Sequence, residues 1–320
     1  MRVERIAQLT GACLTALLLH VAHTVTASAQ AWLPPKGDGS LSLTYSNMYV
    51  RNHVSGLGVK NPNGGRIRTN IILSSFEYGL TDSLAINGDL AYVASKWTGP
   101  TKEGHGGYDS TGSYHPTFQD AHIELRYNAL RRSWVVTPFI GTTIPTHDYE
   151  TRGHSGIGRG LHEVLLGVNV GGELESILPN TYVHTRYSYA IVERFDGLNL
   201  NRSNADCEVG WIANRALGLR FIGTFQRAHG GLTTPLDRVH LPGHEVEFHD
   251  RLTRSHHIDL GGGIDVAVTR SFGLHAAYLT NVYARSSHAS GGFLAGISWN
   301  FSKGLRFGRA FANAPSEKRD

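Results

Sequence analysis

The sequence predicts an all-β chain closed into a single transmembrane antiparallel β-barrel of about 12 strands. Three observations carry this expectation. Apolar and polar side chains alternate with period two in segment after segment, and helical periodicity is almost absent. Most of these segments reach 11 to 16 residues, whereas strands of soluble domains are usually about five or six. The connections alternate between short turns and longer loops rich in Gly, His, Asn and Pro, the layout of a barrel with turns at one membrane face and loops at the other.

The composition agrees. Only 18% of the 320 residues are charged and 38 are Gly, a balance that favours β structure. The formal net charge is +4, and no Lys/Arg run, zinc-finger spacing or RNA-binding signature occurs, so no nucleic acid is expected as a partner.

Residues 1–29 read as a cleaved signal peptide: basic MRVER, the apolar stretch LTGACLTALLLHVAH, then TVTASAQ with an Ala-x-Ala site ending at Ala29. Cys13 leaves with it, and Thr10 three residues earlier does not suit a lipoprotein signal. Cys207 is then alone, which rules out an internal disulfide. No later run of about 18 apolar residues exists to form a membrane helix. The remaining chain divides into a periplasmic segment 30–39, the barrel 40–301, and a tail 302–320 that is periplasmic or a partial plug.

The strands are placed at 40–53, 66–79, 83–97, 117–129, 133–145, 161–173, 180–193, 204–214, 217–228, 253–268, 272–284 and 290–301. Short turns fall near 79–82, 130–132, 173–179, 214–217 and 269–272; longer loops span 54–65, 98–116, 146–160, 194–203 and 229–252, with a shorter one at 285–289. Pairing each strand with the next puts all turns and both termini at one end, the periplasmic one.

Alternation alone does not say which face is wet, because a soluble sandwich alternates too. In lipid every backbone N–H and C=O needs a partner, which only a closed sheet supplies to every strand. The apolar face is therefore assigned outward and the polar face inward. Strand 83–97 sorts Leu84, Ile86, Leu90 and Tyr92 from Asn87 and Asp89, and strand 117–129 sorts Ala121, Ile123, Leu125 and Tyr127 from Asp120, His122, Glu124 and Arg126. Later strands behave alike, giving a lumen-lining set of Asp89, His122, Glu124, Arg126, His184, Arg186, Arg220 and Asp265. Such a set forms a polar path, or a ladder of paired charges that fills the interior. Tyr78, Tyr92, Trp97, Tyr127, Trp134 and Trp299 are candidates for the aromatic girdles. The last strand, GGFLAGISWNF, lines up Phe293, Ala295, Ile297, Trp299 and Phe301, the form of the terminal signal read by the barrel-assembly machinery; of these Phe293, Ile297, Trp299 and Phe301 are its large members. Here SKGLRFGRAFANAPSEKRD follows it, where such strands usually end the protein.

Four stretches together resemble a known family: EYGLTDSLAINGDLAYV, FQDAHIELRYNAL, TPFIGTTIPTHDYETRGHSGIGRGLHEVLLGVNVG and QRAHGGL. The chain resembles, over residues 40–301, the Gram-negative outer-membrane barrels assigned to transport in the phenol meta-cleavage (MetA) degradation pathway. The matching motifs are turns and strand starts. The resemblance implies passage of small, often aromatic or hydrophobic, compounds across the outer membrane, with outer-membrane lipid and the assembly machinery as partners. It brings no catalytic or ligand-binding residues.

Other constellations are read as bland. His240, His244, His249, His256 and His257 crowd the longest loop, but Pro242 and Gly243 break the helix that would align the first two, and no metal or other cofactor is expected. Ser155 beside His154 and Ser255 beside His256 are sequence neighbours only, and the Gly-x-Ser-x-Gly elbow of many acyl hydrolases is absent. GHSGIGRG lacks the Gly-Lys-Ser/Thr of a phosphate loop. The expectation is a narrow passive channel that is not an enzyme. The alternatives are a scaffold or sheath of an outer-membrane complex and, behind it, an outer-membrane lipid hydrolase.

Overall fold

A computed structural model describes residues 31–62, 65–99, 111–233 and 248–302. The leader 1–29, residues 100–110, His240, His244 and the tail beyond 302 lie outside the described residues.

Twelve long strands follow in order: β1 (Gly39–Val54), β2 (Arg66–Thr81), β3 (Leu84–Thr98), β4 (His115–Tyr127), β5 (Trp134–Ile144), β6 (Glu163–Glu173), β7 (Thr181–Val192), β8 (Arg202–Ile212), β9 (Leu217–Ala228), β10 (His256–Ala267), β11 (Phe272–Arg285) and β12 (Ser287–Phe301). Each pairs antiparallel with the next, and β12 closes the sheet on β1 from Gly39↔Phe301 to Val54↔Ser287. Two-residue stubs at Lys60–Asn61 and Leu130–Arg131 extend the ladder, and one helical turn, α1 (His249–Leu252), lies in the longest loop. Closure leaves no terminal strand open among the described residues, which is what spanning lipid demands.

The faces follow the pleat. Outward side chains are apolar: Ile123, Leu125, Leu219 and Trp299 are all exposed, and Phe221 is 55% exposed. Inward neighbours are charged or polar, with Glu124 only 1% exposed. A water-soluble sheet would invert this, so the distribution identifies a barrel whose solvent-like outer medium is hydrocarbon.

Three expectations need correction. Trp97 does not belong to a girdle; it is 1% exposed, pointing inward beside Ile67, which stands between it and Val50 in the register. The connection placed at 285–289 shrinks to Ser286 alone, whose φ is 45°. Beside it, Asn281–Arg285 of β11 pair with β10, and Ser287–Ser290 of β12 pair with β1, so the two strands part as they leave the turn. Finally, the interior is not polar throughout. At the long-loop end, loops fold inward over apolar inner residues. Ile157 packs on Ala91 and Val93, and Leu161 and Leu200 join Phe139, Leu165, Ala190 and Val192. The period-two pattern cannot reveal this, because the covering residues come from loops far away in sequence.

Residues 31–38 turn back into the short-turn mouth, with Ala31 and Leu33 buried. Gly37 and Asp38 exchange backbone bonds with Gly79 at 2.8 and 2.9 Å. Further along, the Thr137 hydroxyl on β5 donates to the Ala31 carbonyl at 2.6 Å, and Gly171 on β6 leaves room for the Trp32 ring. The chain therefore forms a strap inside the barrel wall from β2 to β6.

Candidate functional site in the barrel interior

Inward projection brings the charged residues of β2 to β7 into one network. Register sets Asp89 opposite His122, so His122 Nδ1 sits 3.0 Å from that carboxylate and Nε2 3.2 Å from Glu124. Arg126 contacts Glu124 at 2.9 Å and Glu77 at 3.0 Å. Arg186 on β7 reaches past β6 and β5 to close an ion pair with Glu124 on β4. Its guanidinium lies 3.9 Å from the Phe139 ring centroid, and that ring in turn covers Gly167, where a Cβ would collide with it. Glu124 is thus held by two guanidiniums and an imidazole, which compensates a fully buried carboxylate.

A second network spans β7 to β10. Tyr182 donates to Glu208 at 2.7 Å, and Arg220 bridges Glu208 at 3.0 Å and Asp265 at 2.6 Å. The eight residues singled out from sequence all lie on the inner face. Seven enter these two networks; His184 is buried with its Nε2 unpaired and belongs to neither. Beside the first network lies a cavity of about 430 Å³ lined by His122, Arg186, Asn204, Asp206, Gln226 and His257, among others. Asp206 faces it with no hydrogen bond or ion pair among the described residues.

Above this cavity the loop 145–162 is pinned inside the wall. Tyr149 donates to Asp120 at 2.5 Å and accepts from the Gly160 amide at 2.8 Å, and burial together with the Asp120 carboxylate holds its hydroxyl neutral far above the ordinary range. The His154 ring stacks on Trp97 at 4.1 Å. Arg251 donates to the Gly160 carbonyl at 2.9 Å while lying 3.9 Å over Phe195. Arg159 projects among inward residues with no hydrogen bond or ion pair among the described residues. Burial, with nearby Arg202, pulls its guanidinium down to about 10, so it stays cationic at neutral pH. Arg202 is itself engaged, bidentate on Glu163 at 2.7 and 2.6 Å. Sequence reading missed Arg159, Asp206 and Glu163: the first lies in a loop, and the other two lay in strands whose faces were not sorted.

Ser155 is buried, and Ser255 bonds to Ser287 at 2.9 Å. A different pair, Ser203 Oγ and His229 Nε2, is 2.8 Å apart across β8 and β9, but no carboxylate reaches His229 among the described residues, and Tyr187 shares the Ser203 hydroxyl. Of the loop histidines, His257 lines the cavity and His256 starts the outward face of β10. Phe293, Ile297 and Trp299 are exposed on the outer face of β12, and Phe301 meets Tyr78 and Trp299 at its end.

Known protein-family models and curated proteins give no match to this chain. Among solved structures, the COG4313 outer membrane channel from Pseudomonas putida F1 is similar over 85% of this chain and 98% of its own, at 13% identity and a TM-score of 0.65. The translocator domain of the autotransporter NalP from Neisseria meningitidis matches over 94% and 98%, at 12% identity and a TM-score of 0.47. The P. putida toluene transporter TodX matches over 88% and 96%, at 10% identity and a TM-score of 0.42. At these identities the first likeness establishes the fold, an outer-membrane-type barrel, and the other two carry no further argument.

Proposed function

We propose that this barrel sits in the bacterial outer membrane, long loops outward, and is a narrow passive channel for small solutes. One observation carries the reading: a polar cavity of about 430 Å³ inside the closed sheet, bordered by the His122–Glu124–Arg186 network and by Asp206, which has no hydrogen bond or ion pair among the described residues. A twelve-stranded barrel is too small for the wide aqueous pore of 16- to 18-stranded porins, roughly speaking, so passage is selective. The similar fold of a COG4313 channel supports the class. Aromatic solutes suit the mixed lining, in which Leu165 lies among His122, Arg186 and His257, and they are the class the sequence resemblance implies.

A sealed scaffold is the second reading, favoured by the strap 31–38 and by the Glu124–Arg186 link across the interior. Planar-bilayer recordings decide between them. Discrete conductance steps, with solute uptake lost in a deletion strain, support the channel. A silent, correctly folded barrel with unchanged uptake overturns it in favour of the scaffold.

A further inference from the structure

We propose that the long-loop rim of the outer wall binds the phosphate groups of outer-leaflet lipids through an arc of unpaired arginines. Arg227 on β9 and Arg285 on β11 flank His256 on β10 at one register level, Arg227↔His256↔Arg285. All three project outward, on the face that carries exposed Phe225 and Tyr283 two residues deeper. Arg254, exposed just before β10, brings a third guanidinium close enough to act on His256. Beyond β12 the pattern continues: Arg51 and Arg68, both exposed, lie 5.6 and 5.4 Å from the Tyr49 ring.

None of these five arginines has a carboxylate partner among the described residues, in contrast to Arg126, Arg186, Arg202 and Arg220 inside the barrel. The contrast identifies the partner. Outward cations beginning where the apolar band ends stand at the depth of lipid headgroups, and a guanidinium fork matches a phosphate. Adjacent strands lie about 4.8 Å apart; Arg51 and Arg68 stand on neighbouring strands, while Arg227 and Arg285 are two strand spacings apart across His256, a gap that their long side chains can close around one phosphate. A protein partner is less suited, because the arc is continuous with lipid-covered wall.

The inference rests on the outward placement of the long loops proposed above, but not on conduction. The test is native mass spectrometry of the detergent-solubilised full chain with bisphosphorylated lipid A, compared with the same lipid freed of phosphate. The wild type retains the phosphorylated lipid. The R227Q/R254Q/R285Q variant loses about two orders of magnitude in affinity, at about fivefold per cation, and the R227K/R254K/R285K variant keeps most of it. Heat-modifiable gel mobility confirms that each variant is folded. Equal retention by the Gln variant, or equal binding of the phosphate-free lipid, overturns the proposal. If the barrel conducts nothing yet binds lipid A in this pattern, only the channel reading fails.

Discussion

Glu124 offers a direct test of whether interior charge governs permeation. Glu124→Gln keeps the side-chain shape and removes one negative charge from a site shared by Arg126, Arg186 and His122. Two consequences follow. Leaving buried cations uncompensated costs about 3–5 kcal/mol of stability. The cavity bordered by His122 and Arg186 also gains one net positive charge. For a monovalent ion about 8 Å away at an effective dielectric constant of about 40, that charge is worth about 1 kcal/mol. It favours anions and opposes cations, so the difference between them is about 2 kcal/mol. Screening over a Debye length of about 8 Å at 0.15 M salt reduces this about e-fold, leaving roughly a fourfold rise in the anion-to-cation permeability ratio. The assay is the zero-current potential of the folded variant in a planar bilayer under a KCl gradient. An unshifted potential in a conducting Gln variant would refute the premise that ions pass through this cavity.

Four further outcomes are expected. Thr137→Val removes the hydroxyl bond to the Ala31 carbonyl, loosening the strap by about 1 kcal/mol, so trypsin cleaves after Lys36 about fivefold faster; an unchanged rate would mean the strap is held elsewhere. Deprotonation of Arg159 removes a cation, so with its guanidinium at about 10, anion conductance persists below that pH and falls as pH rises through it. Arg159→Ala should abolish that step in a pH series of conductance. Gly167→Ala drives a methyl into the Phe139 ring and the Tyr187 carbonyl, costing about 1–3 kcal/mol, which a urea unfolding midpoint in detergent would show. A fluorophosphonate probe should label the folded wild type no more than Ser203→Ala, because no carboxylate orients His229 among the described residues; labelling that depends on Ser203 would restore the hydrolase reading.

Much of the fold was legible because a barrel strand is a local object. Segment 117–129 alternates Ile123, Leu125 and Tyr127 with His122, Glu124 and Arg126, and the observed β4 keeps that sorting over 121–127, while a bulge before Ala121 flips the parity so that Phe118 also faces outward. Chain order alone then fixed the neighbours, since every strand pairs with the next. Trp97 shows the limit. An aromatic near a strand end fits a girdle or an interior equally well, and only the pleat of β3, with Val50, Ile67 and His154 around it, turned it inward.

The sequence by itself determined the closed antiparallel sheet, its apolar outer wall and its charged inner face, because period-two patterning and turn length act within a few residues along the chain. Tertiary structure alone decided how that interior is occupied. Arg186 meets Glu124, Thr137 holds Ala31, and Arg159 has no hydrogen bond or ion pair among the described residues, through contacts set by the barrel's curvature and by loops folding inward. Those contacts join residues tens to a hundred positions apart, and no local pattern encodes them.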